Sequence, residues 1–285
     1  YIKGKKEIAF LKKNRSPFYN IKTGNVSGYN DIGQVMFNTI ITSKNKSDIL
    51  KKFKKNIIRH FGPGSNYWKS LKQRKKYKKI KWKKPLNGPW IHQNFIETIK
   101  NIKAKKSITG GTKVNESDGF CAALPYYFLV SKKEKEVKKV IRTVANSKIN
   151  EVYGLARLKI IDLASKGEQY PVQKFIKINK KNRYFKEVIM NIKKVFRLKK
   201  QNHISTVRKL GKACSDPGNF LSATHSIISS SNYKSAIVKT IAGGGCNASR
   251  CNYIGAYFAA LKGFKNIPSQ WIKKTIPAKK ILKFI

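Results

Sequence analysis

The residues with the most chemical potential lie together in Ala242-Gly-Gly-Gly-Cys-Asn-Ala-Ser-Arg250. Three glycines end whatever precedes them, and small polar residues open an apolar run from Cys251 to Leu261. This spacing predicts a tight turn feeding the N-terminus of a closely packed helix. Ile254, Phe258 and Leu261 share one face, and Gly255, Ala256, Ala259 and Ala260 keep the helix small-sided. Backbone N–H groups point outward at such a start and favour an anion. A thiol there has its pKa lowered by the helix dipole, which makes Cys246 a candidate nucleophile. The expectation is nevertheless a structural cysteine, because most cysteines behave as small core hydrophobes and spacing assigns no histidine partner. His225 follows Ser222 and Thr224 with no acid placed to complete a triad, and reads as a core or surface histidine. Asp118 and Asp216 precede a glycine and a proline and read as turn-formers. Cys121, Cys214, Cys246 and Cys251 form no C-x-x-C pair, and His60, His92, His203 and His225 show no metal-ligand spacing. A zinc ribbon is therefore not indicated, and free thiols in a reducing or organellar interior are expected.

Charge is the outlier of the composition. The 285 residues carry 63 Lys and Arg against 13 Asp and Glu, a formal net charge of +50. A soluble monomer needs only a few charges, and +50 implies strong self-repulsion. A polyanion that neutralises it is the economical explanation. Nucleic acid fits better than a membrane surface, because the basic residues run along the whole chain rather than along one amphipathic helix. No apolar run is long enough to span a bilayer. The densest basic stretch is Lys69 to Lys84, where Lys and Arg hold ten of sixteen positions and Tyr77, Ile80 and Trp82 stand between them. Such runs are commonly solvated loops, but interleaved aromatics suit phosphate contacts with base stacking.

The elements that position these residues read as helices almost throughout. Residues 30–60 give two, the second opened by Ser47 and Asp48 and stopped at Phe61-Gly-Pro-Gly-Ser65. Residues 94–103 give a short one, and an apolar run follows over 120–130. Residues 132–164 give two with a turn near 146–150, residues 172–198 two more, and residues 220–240 one or two that arrive at the glycines. No stretch alternates at period two and no internal repeat is visible. The expectation is an all-α, compact multi-helix domain over about 25–271, with a basic N-terminal arm at 1–24 and a basic C-terminal tail at 272–285.

Seven segments occur in order: Tyr29-Asn-Asp31; Phe61-Gly-Pro-Gly-Ser-x-Tyr-Trp68; Gly88-Pro-Trp-Ile91; Asp118-Gly-Phe-Cys-Ala-Ala-Leu-Pro125; Ala213-Cys-Ser-Asp-Pro-Gly-Asn-Phe220; Gly244-Gly-Cys-Asn-Ala-Ser-Arg250; and Ile267-Pro-Ser-Gln-Trp-Ile272. Together they resemble the J1-crystallin and selenoprotein J branch of the ADP-ribosylglycohydrolase superfamily, over about residues 25–275. The resemblance implies an all-helical ADP-ribosylglycohydrolase-like domain. Catalytic members of the superfamily hold two divalent ions, usually magnesium, on a Thr/Ser-Asp-Asp and a Gly-Gly-Asp-x-Asp-Ser/Thr segment. Hard cations want such oxygen ligands. Here Asn30-Asp31-Ile32 stands at the first segment and leaves Asp31 as a vestigial ligand. Cys246 and Ala248 replace both carboxylates of the second, and a soft thiol is unsuited to magnesium.

The resulting expectation is a catalytically inactive domain without a cofactor. It acts as a structural RNA-binding component of a ribonucleoprotein, a mitochondrial ribosome, with ribosomal RNA and neighbouring ribosomal proteins as partners and no membrane. The alternatives are a metal-dependent ADP-ribosyl or glycosidic hydrolase with a degenerate site, a crystallin-like structural protein, and a cytoplasmic location. Position 1 is Tyr, so the chain is read as processed or truncated, with any targeting segment outside it. Candidate RNA-contacting residues are Lys72, Arg74, Lys75, Lys76, Tyr77, Lys78, Lys79, Lys81, Trp82, Lys83 and Lys84. Arg183, Lys193, Lys194, Arg197, Lys199 and Lys200 follow, with Lys279, Lys280 and Lys283 in the tail.

Overall fold

The computed structural model of the chain describes residues 9–11, 15–78 and 85–284. A two-residue strand β1 (Tyr19–Asn20) leads to helices α1 (Gly28–Ile41), α2 (Ile49–Phe61) and α3 (Asn66–Lys78). Strand β2 (Leu86–Asn87) precedes α4 (Gln93–Lys103), α5 (Asp118–Leu129), α6 (Glu134–Val144) and α7 (Lys148–Ser165). Then come α8 (Pro171–Ile178), α9 (Lys186–Arg197), α10 (His203–Leu210), α11 (Gly218–Ile228), α12 (Tyr233–Ala242) and α13 (Asn247–Lys262). Two short helices, α14 (Ser269–Lys274) and α15 (Ala278–Ile281), close the described chain. The all-α expectation holds, with local differences: α3 reaches into the basic run that has the look of a solvated loop, and α14 and α15 form around the expected tail. β1 and β2 pair in parallel, Tyr19 opposite Leu86 and Asn20 opposite Asn87, a register that local patterning cannot announce. Helix α10 was not foreseen, because its eight residues carry a single buried aliphatic, Val207.

The helices form where apolar residues recur at helical spacing. In α9, Val188, Ile189, Ile192 and Val195 are buried while Lys186, Lys193, Lys194 and Arg197 face outward. Helix α7 is buried nearly all round and runs through the middle of the core against α5, α6, α8 and α13. The Ser147 side chain accepts from the Asn150 N–H at 3.1 Å and caps it. Asp48, expected as a cap for α2, makes no capping hydrogen bond; a 3-10 turn over Lys46–Asp48 leads into that helix instead.

The described parts of the arm and tail pack on the body and on each other. The Ile276 N–H donates to the Gly24 carbonyl at 2.9 Å, Phe10 meets Trp271, and Phe37 meets Phe284 with centroids 5.8 Å apart. The 271/272 boundary runs through α14.

Candidate functional site

The N-termini of α1, α5 and α13 and the start of α4 converge on one polar cluster. Tyr29, in the first turn of α1, is buried and donates to Glu116 Oε2 at 3.1 Å. Asp118 opens α5 fully buried. Its Oδ1 lies 2.6 Å from His92 Nδ1, and its Oδ2 accepts from Asn94 Nδ2 at 2.9 Å. Burial works against the His92 charge, but Asp118 outweighs it and raises the imidazole pKa. Burial and then the Asp118 charge push Glu116 up to about 7. Asp118 is therefore not the turn-former that Ser-Asp-Gly suggested. Gly119 is required for packing, because an added Cβ would lie 2.8 Å from the Ile141 side chain and 3.0 Å from its carbonyl oxygen.

Cys246 borders this cluster immediately before α13. Gly244 and Gly245 both have positive φ, +70° and +71°, as the tight turn requires. A Cβ on Gly245 would lie 2.2 Å from the Lys212 carbonyl oxygen, and that carbonyl accepts from the Cys246 N–H at 2.8 Å. Buried Arg250 reaches back from α13 to the carbonyls of Gly244 and Lys212 and to the Asn247 and Thr240 side chains, which locks the turn onto the 212 segment. Cys246 Sγ lies 4.0 Å from the Tyr29 hydroxyl and accepts from Ser249 Oγ at 3.2 Å. The Cys214 thiol is the neighbour that most favours its charged form. These neighbours, Cys214 foremost, outweigh burial and bring the Cys246 thiol down to about 6. Cys246 is half-buried and packs against the edge of the core.

A buried relay stands behind Ser249. Arg157 grips Asp216 with two bonds of 2.7 and 2.6 Å and donates to Asn219 Oδ1 at 3.3 Å. Asn219 Nδ2 in turn donates to Ser249 Oγ at 2.5 Å, which leaves the Ser249 proton for the Cys246 carbonyl or sulfur. Asp216, expected as a turn residue, is the buried counter-charge of Arg157.

The donor set does not suit the dinuclear magnesium centre that the superfamily implies. Tyr67 donates its hydroxyl to Asp31 Oδ2, and His60 Nε2 stands 3.8 Å from the same oxygen. The remaining positions offer a thiol and a methyl group, and hard cations need several oxygens there. His92, Glu116 and Asp118 place one ligand atom each within 4.8 Å of one another and could hold a single ion. Their hydrogen bonds to one another, to Asn94 and to Tyr29 already engage them.

No protein-family model matches the chain. It is 26% identical over 297 residues to crystallin J1A of Tripedalia cystophora, covering 99% of this chain and 85% of that protein. Crystallin J1B of the same organism is 25% identical over 288 residues. The chain is a relative of the J1-crystallins. The fold is also that of an ADP-ribosylglycohydrolase-related protein complex, with a TM-score of 0.60 at 10% identity over 96% of this chain and 88% of that one.

In this J1-crystallin relative the predicted basic residues fall into separate groups. Arg183, Lys193, Lys194, Arg197, Lys199 and Lys200 are exposed on α9 and its flanks. Lys279, Lys280 and Lys283 are exposed in and after α15. Lys72 is exposed on α3, whereas Arg74 turns inward, 4.6 Å over the Trp90 ring and bonded to the Ile91 carbonyl at 3.4 Å. Lys75, Lys76, Tyr77 and Lys78 belong to the backbone of α3. Lys79, Lys81, Trp82, Lys83 and Lys84 lie outside the described residues. Sequence reasoning missed Tyr29, His92, Glu116 and Cys214 as members of the cluster around Cys246. Their separation along the chain gave no local signal, although Tyr29 and Cys214 each sit in one of the seven ordered segments.

Proposed function

We propose that the protein is a structural RNA-binding component of a ribonucleoprotein, a mitochondrial ribosome, on an ADP-ribosylglycohydrolase-like scaffold without dinuclear metal chemistry. One observation carries this reading: the described carboxylates, Asp48 apart, have partners within the chain, while ion pairs and hydrogen bonds engage only a minority of the described lysines and arginines. Asp31, Asp118 and Asp216 hold Tyr67, His92 and Arg157; Glu116, Glu151 and Glu187 hold tyrosines; Asp162, Glu134 and Glu136 hold lysines. What faces outward is a surface of lysine and arginine at net +50, which a phosphate backbone neutralises. Purified protein should bind RNA with an affinity that falls steeply with salt, and native protein should co-sediment with ribosomal particles in high-salt gradients. Weak binding at ~50 mM salt with a flat salt dependence would remove the reading.

The relationship to crystallins favours a second reading, a bulk structural protein. Protein that stays soluble and free of nucleic acid at high concentration and low salt would support it over the first. A residual metal-dependent hydrolase predicts saturable magnesium or manganese binding in calorimetry, lost in Asp31→Ala.

A further inference from the structure

Between Glu168 and Asp216 the chain carries a single acid, Glu187, against fourteen lysines and arginines. Glu187 accepts from the Tyr153 hydroxyl at 3.1 Å. All fourteen cations are exposed, and among these described residues only Lys174 reaches a carboxylate, Glu168, at 3.7 Å. Burial beneath the surface sets its order. Val188, Ile189, Ile192 and Val195 pin α9 to the core. Lys186, Lys193 and Arg197, at spacings of seven and four, therefore line up on its outer side on a fixed backbone. The helical rise spreads them over about 16 Å. Lys199 and Lys200 follow just past the helix end.

What this surface lacks points to its partner as much as what it has. Phe175 and Phe185 are buried, and Tyr184 and Phe196 are half-buried. The Tyr184 ring already carries Lys138 at 4.3 Å and Lys148 at 4.2 Å. Tyr170, the one exposed ring of the stretch, precedes α8. The exposed apolar groups on α9 and its neighbours, Ile178, Met190 and Ile204, are aliphatic. The outer face of α9 thus offers cations and no platform for an unstacked base. Proteins that hold single strands combine a basic groove with rings on which successive bases stack. A duplex keeps its bases stacked inside and presents the phosphates of two strands at a higher charge density, so a rigid array of cations without rings gains more counterion release from it. We propose, on the RNA-binding reading above, that the outer face of α9 and its flanks form a docking surface for double-stranded RNA, held through phosphates and without reading of base sequence.

The test measures binding of the full chain by fluorescence anisotropy to an RNA duplex of roughly 20 base pairs, a little beyond the reach of a double-stranded-RNA-binding domain. The comparison is one strand of that duplex alone, chosen not to pair with itself. At ~150 mM salt the duplex should bind at least roughly fivefold more tightly, and duplexes of unrelated sequence should bind alike. Lys186→Gln, Lys193→Gln and Arg197→Gln together should remove most of that preference. The slope of log K against log salt should shrink by about 2.7 for the duplex and about 2.1 for the strand. The same loss of charge at exposed Lys100, Lys103 and Lys106 should leave the preference in place, with melting curves checking the fold of both variants. A strand that binds as tightly as the duplex, or an α9 variant that keeps the wild-type preference, overturns the duplex proposal while the RNA reading stands. Absence of binding to RNA in either form removes that reading and this proposal with it.

Discussion

The cluster around Cys246 and the outer face of α9 use ionisable residues under opposite rules. In the cluster, Arg157, Asp216, His92 and Asp118 are almost wholly buried and each has a matched partner within 3 Å. On α9, Lys193, Lys194 and Arg197 stand exposed, and Glu187, the acid of its first turn, is bonded to Tyr153. Among the described residues the acids other than Asp48 are engaged within the chain, whereas bases such as Lys193, Lys194 and Arg197 stand at the surface. The fold and the charge can therefore be perturbed separately.

The largest effect should come from breaking the interior. Asp216→Ala leaves the Arg157 guanidinium uncompensated among the rings of Phe120, Phe220 and Tyr253. The expected loss is about 3–5 kcal/mol in urea unfolding, with unchanged RNA affinity for the protein that stays folded. A loss below about 1 kcal/mol would mean that water already reaches the pair.

The exterior is broken by the triple variant Lys193→Glu, Lys194→Glu, Arg197→Glu. Affinity for single-stranded RNA should fall at least roughly tenfold, and the slope of log K against log salt should shrink by about 2. Thermal stability should barely move. An unchanged slope would take α9 out of the footprint.

A smaller effect belongs to the buried histidines. His225 Nε2 lies 3.0 Å from the Leu198 carbonyl and must donate to it, so neutral His225 accepts at Nδ1 from His203 Nδ1, 2.9 Å away. Burial, and then His225, depress the His203 pKa from 6.5 to about 3. The folded value lies below the unfolded one. The stability this histidine contributes is therefore complete above pH 6.5 and is lost as pH falls toward 3. Denaturation curves should steepen by up to about 1.4 kcal/mol per pH unit in that window, and His203→Gln should flatten them.

The smallest change sharpens the boundary between the regions. Arg74 looked like part of the basic surface, yet it packs on Trp90. Arg74→Ala should cost about 0.5–1 kcal/mol of stability and leave the salt slope of RNA binding unaltered.

The sequence made the helical body and the glycine turn before α13 legible, because both depend on local periodicity and on glycine conformation. It could not show that Arg157 meets Asp216, 59 positions away, or that His92 meets Asp118, 26 positions away. Nothing in Ser117-Asp-Gly distinguishes a turn from a buried helix start; only the nearness of Ile141 to Gly119 does. Cys246 was visible as a letter, but its nearness to the Tyr29 hydroxyl, 217 positions away, was not.

The outward array of lysines on α9 and around it has a consequence for the chain in isolation. Crowded like charges push the folded molecule apart, so added electrolyte should tighten the native state while it loosens the grip on RNA. On the proposed function, ionic strength would then act with opposite signs on folding and on assembly. RNA, as a counter-charge that binds the folded form, would serve as the folding partner that dilute buffer cannot supply.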